Sequence, residues 1–321
     1  MSRGVLLGIA FLCLPGCAPR AQPVPPAPVP ELYGAGLFST GAWDFFMAFS
    51  ADEHRALFCR ANDDFSAYDI FETRKEAAGH WRAPAKPRFA SAWSNADPHI
   101  APDGRTVFFI SNRPGTGEVG PQATYDIWCA TLQPDGEWGE ARRVPEPVSV
   151  SGVDEWSPSV AVNGNLYFGS ERPGGHGGLD LCVAHQVGGV YQAPENLGGP
   201  INTPGDEVEP WIAPDESYLI FSAKNRPDSA GRYDIYLSRR EHGVWQQAQP
   251  LSHGVNTSWL DFNPSVSPDG RWLYFSSTRP HTGPIGERFD APRSGRNVSG
   301  IGIGKGDIYR IALRHFGLGP R

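Results

Sequence analysis

The sequence predicts an all-β fold: a β-propeller of about five four-stranded blades whose last blade is closed by an N-terminal strand. Three observations predict it. An aspartate tetrad recurs at Tyr68-Asp69-Ile70-Phe71, Tyr125-Asp126-Ile127-Trp128, Leu179-Asp180-Leu181-Cys182, Tyr233-Asp234-Ile235-Tyr236 and Gly306-Asp307-Ile308-Tyr309. A short apolar run precedes each copy: Ala56–Phe58, Val107–Ile110, Leu166–Phe168, Leu219–Phe221 and Leu273–Phe275. The composition, with 38 Gly, 31 Pro and 12% aromatic residues, suits many short strands joined by tight turns and argues against a helical bundle.

Each element has its own justification. Ala101-Pro102-Asp103-Gly104 and Ser267-Pro268-Asp269-Gly270 place Pro and Gly as a type I turn prefers, and Asn163-Gly164 reads as a two-residue hairpin signal. The unit is then strand a, turn, strand b, loop, strand c, turn, strand d. Strand d is expected at an aromatic residue followed by proline, as in Trp81 to Pro84, Tyr191 to Pro194 and Trp245 to Pro250. Strand b is apolar on both faces, which fits a blade covered on both sides by neighbours that must stack to bury it. The last unit reaches strand c at Ile308 to Leu313, and Val29-Pro30-Glu31-Leu32 at the front supplies a segment to complete that blade and remove an open edge. Six blades would need a further unit that the sequence leaves no room for.

Residues 1–16 read as a signal peptide of the lipoprotein type, with Arg3 before an apolar run from Val5 to Leu14 that is too short to span a bilayer. Leu14-Pro15-Gly16-Cys17 resembles a bacterial lipobox, with Pro15 a departure from its usual residue. Lipidation at Cys17 would anchor the chain to a membrane, and the absence of aspartate after Cys17 points to the outer one. Residues 17–30 read as a Pro/Ala-rich tether and 31–316 as the propeller. Beyond Cys13 and Cys17, the thiols Cys59, Cys129 and Cys182 lie in strand-like runs, suggest buried free cysteines and match no metal site. The net charge of −7 carries no basic footprint for nucleic acid.

Ser-Pro-Asp-Gly, an aromatic strand, Ser-x-Arg-Pro and Asp-Ile-Tyr together resemble the WD40-like repeat called PD40 of TolB-type propellers. Asn263 to Pro280 with Gly306–Tyr309, and Glu209 to Pro227 with Tyr233–Tyr236, carry the resemblance best, which extends from about residue 43 to 313. It implies the fold and leaves function open, because one fold hosts many functions. TolB itself has six blades and an extra N-terminal domain. The sequence shows neither, so a TolB role does not carry over.

Aligned units place Glu155, Glu207 and Asp261 at one position, with Asn95 beside them, and Asp97 and Glu209 at another, with Ser157 and Asn263. Arg113, Arg172, Arg226 and Arg279 recur at the end of strand b. A charged ring that binds a ligand and a repeated Arg–carboxylate clamp between blades both fit these positions. Repetition favours the clamp, since catalysis needs an asymmetric set. The tetrad aspartates Asp69, Asp126, Asp180, Asp234 and Asp307 are expected to cap turns or accept backbone hydrogen bonds. Residues that break the repeat are the binding-face candidates: His99 and Trp211 where other units have serine, His176 in a glycine-rich loop, and His281, Arg288, Arg293 and Arg296 in the longest b–c loop.

No catalytic or metal motif stands out, and no cofactor is expected. The expected function is a non-catalytic scaffold lipoprotein: exported, periplasmic, anchored to the outer membrane, binding an envelope protein or polymer through its loop face and no nucleic acid. The alternative is a glycoside hydrolase-like enzyme using Asp97, Glu155, Glu207 and Asp261 as spaced acids and bases.

Overall fold

The structure, a computed structural model, describes residues 27–90, 92–115, 117, 119–283, 285 and 305–320. The signal segment, Cys17, most of the tether, and Arg288, Arg293 and Arg296 lie outside these residues. Five small antiparallel sheets follow one another along the chain, one per repeat.

A short N-terminal strand, β1 (Glu31–Leu32), precedes the first blade. That blade is β2 (Trp43–Phe49), β3 (Arg55–Ala61) and β4 (Tyr68–Arg74), with an outer edge of isolated bridges at Trp81 and Ala85. The second is β5 (Asn95–Ile100), β6 (Thr106–Ser111), β7 (Asp126–Thr131) and β8 (Arg142–Arg143). The third has β9 (Glu155–Val160), β10 (Leu166–Ser170) and β11 (Asp180–Ala184), then a hairpin of β12 (Gln186–Val187) and β13 (Val190–Tyr191), then β14 (Glu195–Asn196). The fourth has β15 (Asp206–Ile212), β16 (Tyr218–Lys224), β17 (Asp234–Glu241), β18 (Val244–Trp245) and β19 (Gln249–Pro250). The fifth is β20 (Asp261–Val266), β21 (Trp272–Ser277) and β22 (Asp307–Ala312), and β1 completes it by pairing Glu31 with Arg310 and Leu32 with Tyr309. The ring therefore closes as the sequence predicts, with five blades.

Two local expectations change. Strand d is not one strand through the aromatic residue. Tyr191 lies in the β12–β13 hairpin and Trp245 pairs with the end of β17, and Glu195–Asn196 and Gln249–Pro250 then pair further along strand c as separate pieces. Asn163-Gly164 is not a two-residue hairpin either. The Gly164 N–H returns to Ala161 O at 2.9 Å, so the pair fills the last two places of the same four-residue turn that Gly104 and Gly270 close.

Each strand b is buried, and its central aromatic side chain (Phe58, Phe109, Phe168, Phe221 or Phe275) packs between blades. Burying one such ring contributes roughly 1.5–3 kcal/mol. The b–c loops also press on the next blade. A Cβ on Gly177 would lie 2.1 Å from Gly205 O, and one on Gly231 2.2 Å from Trp259 O, so only glycine permits these approaches.

Every strand a carries a bulge at its third or fourth residue, where the register with strand b shifts. The bulged residues Phe46, Asp97, Ser157, Glu209 and Asn263 all have left-handed backbone, with φ of 57°, 54°, 51°, 56° and 50°. None is glycine, so the strain is met by packing and hydrogen bonds from neighbouring blades.

Candidate functional site

The innermost strands of successive blades contact one another around the ring and enclose a central channel. Three levels of side chains along it hold the chemistry.

The first or second residue of each strand a forms the upper level: Asp44, Asn95, Glu155, Glu207 and Asp261, all with no exposed surface. Each is met by an arginine of its own strand b or the residues just after it. Arg113 Nη2 donates to Asn95 at 2.6 Å, Arg172 to Glu155 at 3.0 Å and Arg279 to Asp261 at 2.5 Å, while Arg226 Nη1 reaches Glu207 at 3.2 Å. In the first blade Arg60 Nε donates to Asp44 at 2.5 Å. The same guanidinium groups donate to main-chain oxygens of the loop entering the blade, namely Leu37, Phe89, Val148, Ile201 and Val255. They also lie over the strand-b aromatic ring at 5.1–5.8 Å. The pair is thus made within a blade and ties down the connection from the blade before. Burial still pushes Glu155 up to about 7 and raises Glu207, against the lowering effect of their arginines.

Asp44 and Arg60 escape sequence alignment because Arg60 sits opposite Asp44 in the register, whereas the other arginines lie two or three residues beyond the residue paired with theirs. The chemistry is conserved while the spacing is not.

The tetrad aspartates divide. Asp180 accepts from His176 N at 2.5 Å, and Asp234 from Ala230 N and Gly231 N at 2.6 and 3.1 Å, which holds their b–c loops. Asp126 instead pairs with Arg143 and Asp69 with Lys86, both at 2.6 Å, where the sequence predicts turn caps. Asp307 is buried at the start of its strand. The next residue's backbone is held on both sides by a side chain from a connecting loop. Asn202 accepts from Leu181 N and donates to Leu181 O, both at 2.9 Å, and Asn256 does the same for Ile235 at 2.7 and 2.9 Å.

The bulged residues form the second level, the waist of the channel. The hydroxyl of Ser157 donates to Asp97 Oδ2 at 2.5 Å, and Asn263 N–H donates to Glu209 Oε2 at 2.6 Å. Each carboxylate therefore braces the bulge of the following blade. Among the described residues neither has a Lys, Arg or His partner. Burial raises Asp97 to about 6. Burial, and then the Asp97 charge, raise Glu209 to about 8, although Glu209 retains some surface open to the channel.

The third level lies below the waist. A cavity of about 280 Å³ is lined by Phe46, Phe49, His99, Trp211, Tyr218 and Val266, and its rim is made by a–b turn residues such as Pro102, Pro214 and Pro268. His99 Nε2 accepts Val160 N–H at 3.1 Å, so the ring's proton sits on Nδ1, and burial lowers its pKa to about 4. His99 and Trp211 therefore face the a–b turn end of the channel and not the b–c loop face to which the sequence assigned them. His176 is exposed on the b–c loop side, and His281 is half-buried there against Tyr309 at 6.1 Å.

On the b–c side the channel mouth is ringed by half-buried aromatic residues: Phe65, Tyr68, Tyr125, Trp156 and Tyr233. Their rings run in sequence, Phe65 to Tyr68 at 5.2 Å, Tyr68 to Tyr125 at 6.1 Å and Tyr125 to Trp156 at 4.7 Å. Sequence reasoning did not single these out, although three of them open an aspartate tetrad. Among the described residues no three His, Cys, Asp or Glu side chains cluster as a metal centre, and no helix is long and apolar enough to cross a membrane.

The sheets define a five-bladed β-propeller. No protein-family model matches the chain, and no curated protein matches it. Among solved structures it is similar to a protein assigned as TolB from Agrobacterium tumefaciens, with a TM-score of 0.47 and 16% identity over 84% of this chain and 90% of that one. It is also similar to TolB from Acinetobacter baumannii, with a TM-score of 0.45 and 13% identity over 84% of this chain, which spans about half (54%) of that one. An α-L-arabinofuranosidase from Lactobacillus brevis reaches a TM-score of 0.47 at 11% identity, over 87% of this chain and 92% of that one. Likeness at this level assigns no activity.

Proposed function

We propose that this chain is a non-catalytic binding scaffold of the bacterial cell envelope, exported and held at the outer membrane through Cys17, which docks an envelope protein or polymer on the face carrying the b–c loops. The observation that carries the reading is the arc of aromatic rings at that mouth. Phe65, Tyr68, Tyr125, Trp156 and Tyr233 offer stacking surface with polar tips, a composition suited to recognition. Against the glycosidase reading, Glu155, Glu207 and Asp261 are each bound to a buried or half-buried arginine, leaving Asp97 alone of the four acids without one. Glu209, which also lacks an arginine, and Asp97 are instead engaged by the next blade, accepting from Asn263 N–H and from the Ser157 hydroxyl.

The test is site-specific photo-crosslinking in the bacterium, with the reactive side chain at Phe65 or Tyr233 on one face and at Asp215 on the other. Adducts of one defined partner from the first two positions and none from Asp215 are expected. Equal capture from both faces would refute the docking face. Glycan hydrolysis by the purified chain that disappears in Asp97→Asn would refute the non-catalytic reading.

A further inference from the structure

We propose that the cavity at the a–b turn end of the channel binds a small, flat, uncharged molecule carrying a carbonyl oxygen, of the aromatic amide class. The site lies at the end opposite the docking face and does not rest on it.

Backbone donors set the site. Ser50 N–H donates to Arg55 O at 3.0 Å, Ala101 N–H to Thr106 O at 2.8 Å and Ser267 N–H to Trp272 O at 2.9 Å. Hydrogen-bonded pairs alternate along an antiparallel ladder, so the residue before each of these, Phe49, Ile100 or Val266, turns its N–H away from strand b. Strand a is the innermost strand, and that N–H therefore faces the channel. Val160 and Ile212 are the equivalent residues of the third and fourth blades, and their donors are met. Val160 N–H donates to His99 Nε2 at 3.1 Å and Ile212 N–H to Ser159 Oγ at 3.0 Å. The acceptor is in each case the residue two places past the bulge of the preceding blade.

That pattern fails at the other three junctions. The residue so placed for Val266 is Trp211, whose indole nitrogen only donates, and for Ile100 it is Ala48, which has no acceptor. For Phe49 it is Ser265, which is 5% exposed, and its hydroxyl has no hydrogen-bond partner. No acceptor meets the three N–H groups among the described residues. Phe49, Ile100, Val266 and Ser265 all line the cavity. Buried donors are rarely left unmade, because the loss costs the desolvation of the group. A ligand oxygen would supply the acceptor that Trp211 and Ala48 cannot.

The walls select the rest of the molecule. No Asp, Glu, Lys or Arg lines the cavity, so a charged ligand would be buried without a counter-ion. Asp97, two residues before the cavity-lining His99, disfavours an anion further. Phe46, Phe49, Trp211 and Tyr218 make aromatic walls, with the Trp211 and Tyr218 rings 5.8 Å apart and 31° from parallel, which suits a flat body. Phe46 occupies the bulge of the first blade, where the other four blades carry a polar residue. A volume of about 280 Å³ limits the occupant to a small molecule, and apolar walls with a few polar groups are the usual composition of such sites. Trp211 stands where the third and fifth blades have serine, so one departure from the repeat both opens a donor and builds a wall.

The experiment uses the full chain labelled with nitrogen-15, at pH 7.5. Benzamide is the probe, with benzoate, benzamidine and ethylbenzene as its anionic, cationic and carbonyl-free counterparts. Ligand-observed NMR titration is expected to show benzamide binding at millimolar concentration or below, and the other three binding at least tenfold more weakly. Benzamide should shift the backbone amide signals of Ile100 and Val266 and leave that of Tyr68, at the opposite mouth, unmoved. Ala48→Ser supplies to Ile100 the kind of acceptor that Ser159 supplies to Ile212. It should hold or raise the unfolding temperature while weakening benzamide binding several-fold, and Trp211→Ser, which also removes a wall, should abolish binding. No benzamide binding at tens of millimolar, or unchanged binding in the folded Trp211→Ser variant, would overturn the site. Equal binding of benzoate or benzamidine would overturn the choice of an uncharged molecule, and equal binding of ethylbenzene the role of the carbonyl oxygen.

Discussion

Replacing Arg226 by methionine tests the upper level of the channel most directly. Arg226 is 6% exposed and Glu207 is fully buried, so solvent screens little of their interaction. The guanidinium donates to Ile201 O at 2.8 Å and Glu207 Oε1 at 3.2 Å, and lies 4.5 Å over the Tyr236 ring. Methionine fills much of the volume and keeps contact with the ring, but leaves a buried carboxylate whose remaining support is the hydroxyl and N–H of Thr203 at 2.6 and 2.9 Å. Removing one partner of such a pair costs about 3–5 kcal/mol, against about 0–1 kcal/mol for a surface pair. Urea unfolding followed by tryptophan fluorescence reads that loss. Adding Glu207→Gln to Arg226→Met removes the orphan charge while keeping an acceptor for Thr203. The double variant should therefore recover roughly 1–2 kcal/mol over the single one. A loss below about 1 kcal/mol for Arg226→Met, or no recovery in the double variant, would refute the clamp as the reason for the repeated arginines.

Other consequences follow from the same geometry. Leu32→Ala, in the closing strand and fully buried, should cost about 2–5 kcal/mol by urea unfolding, and deletion through Leu32 should expose the edge of β22 and produce oligomers by size-exclusion chromatography. Ser157→Val should destabilise by about 2 kcal/mol or more because a β-branched residue resists φ of 51°, whereas Ser157→Gly should cost less despite losing the hydroxyl, as read from the same unfolding curves. Burial raises the folded pKa values of Asp97, Glu155 and Glu209 to about 6, 7 and 8. Their contribution to stability is fully present below the ordinary carboxylate range and is lost as pH rises through 6 to 8. His99, lowered to about 4, works in the opposite sense and only below pH 6.5. Unfolding midpoints should therefore fall between pH 6.5 and 9, and the fall should be shallower in Glu209→Gln. Burial raises the Cys59 thiol well above its usual range, so mass-spectrometric mapping after brief thiol labelling should find it unmodified until the chain unfolds.

The number of blades, the a-to-c order of strands and the closing strand were legible from sequence alone. Each rests on a signal that repeats locally: an aspartate tetrad, an apolar run, a Pro-Asp-Gly turn. The recurring arginines and their acid or amide partners were legible for the same reason in four blades, but each pair lies within a blade and not between blades as the sequence suggested. The pair was hidden in the first blade, where Arg60 reaches Asp44 from directly across the strand pair. Strand d was legible at its aromatic residue and proline but not its break, since Trp245 and Gln249–Pro250 pair with β17 as two separate pieces.

The channel itself was decided by tertiary structure. A bulge rotates the backbone at one residue without any demand on composition, so Phe, Asp, Ser, Glu and Asn could occupy one equivalent position and show no motif. Its consequence is spatial. Residues two places past the bulge, among them His99 and Trp211, face the cavity by the a–b turns, while Tyr68, Tyr125 and Tyr233 gather at the opposite mouth. Local sequence determines which strands form and in what order. Which carboxylates meet an arginine, and which brace the bulge of the next blade, depends on how five blades stack around one axis, because that packing alone sets the distances between residues far apart in the chain.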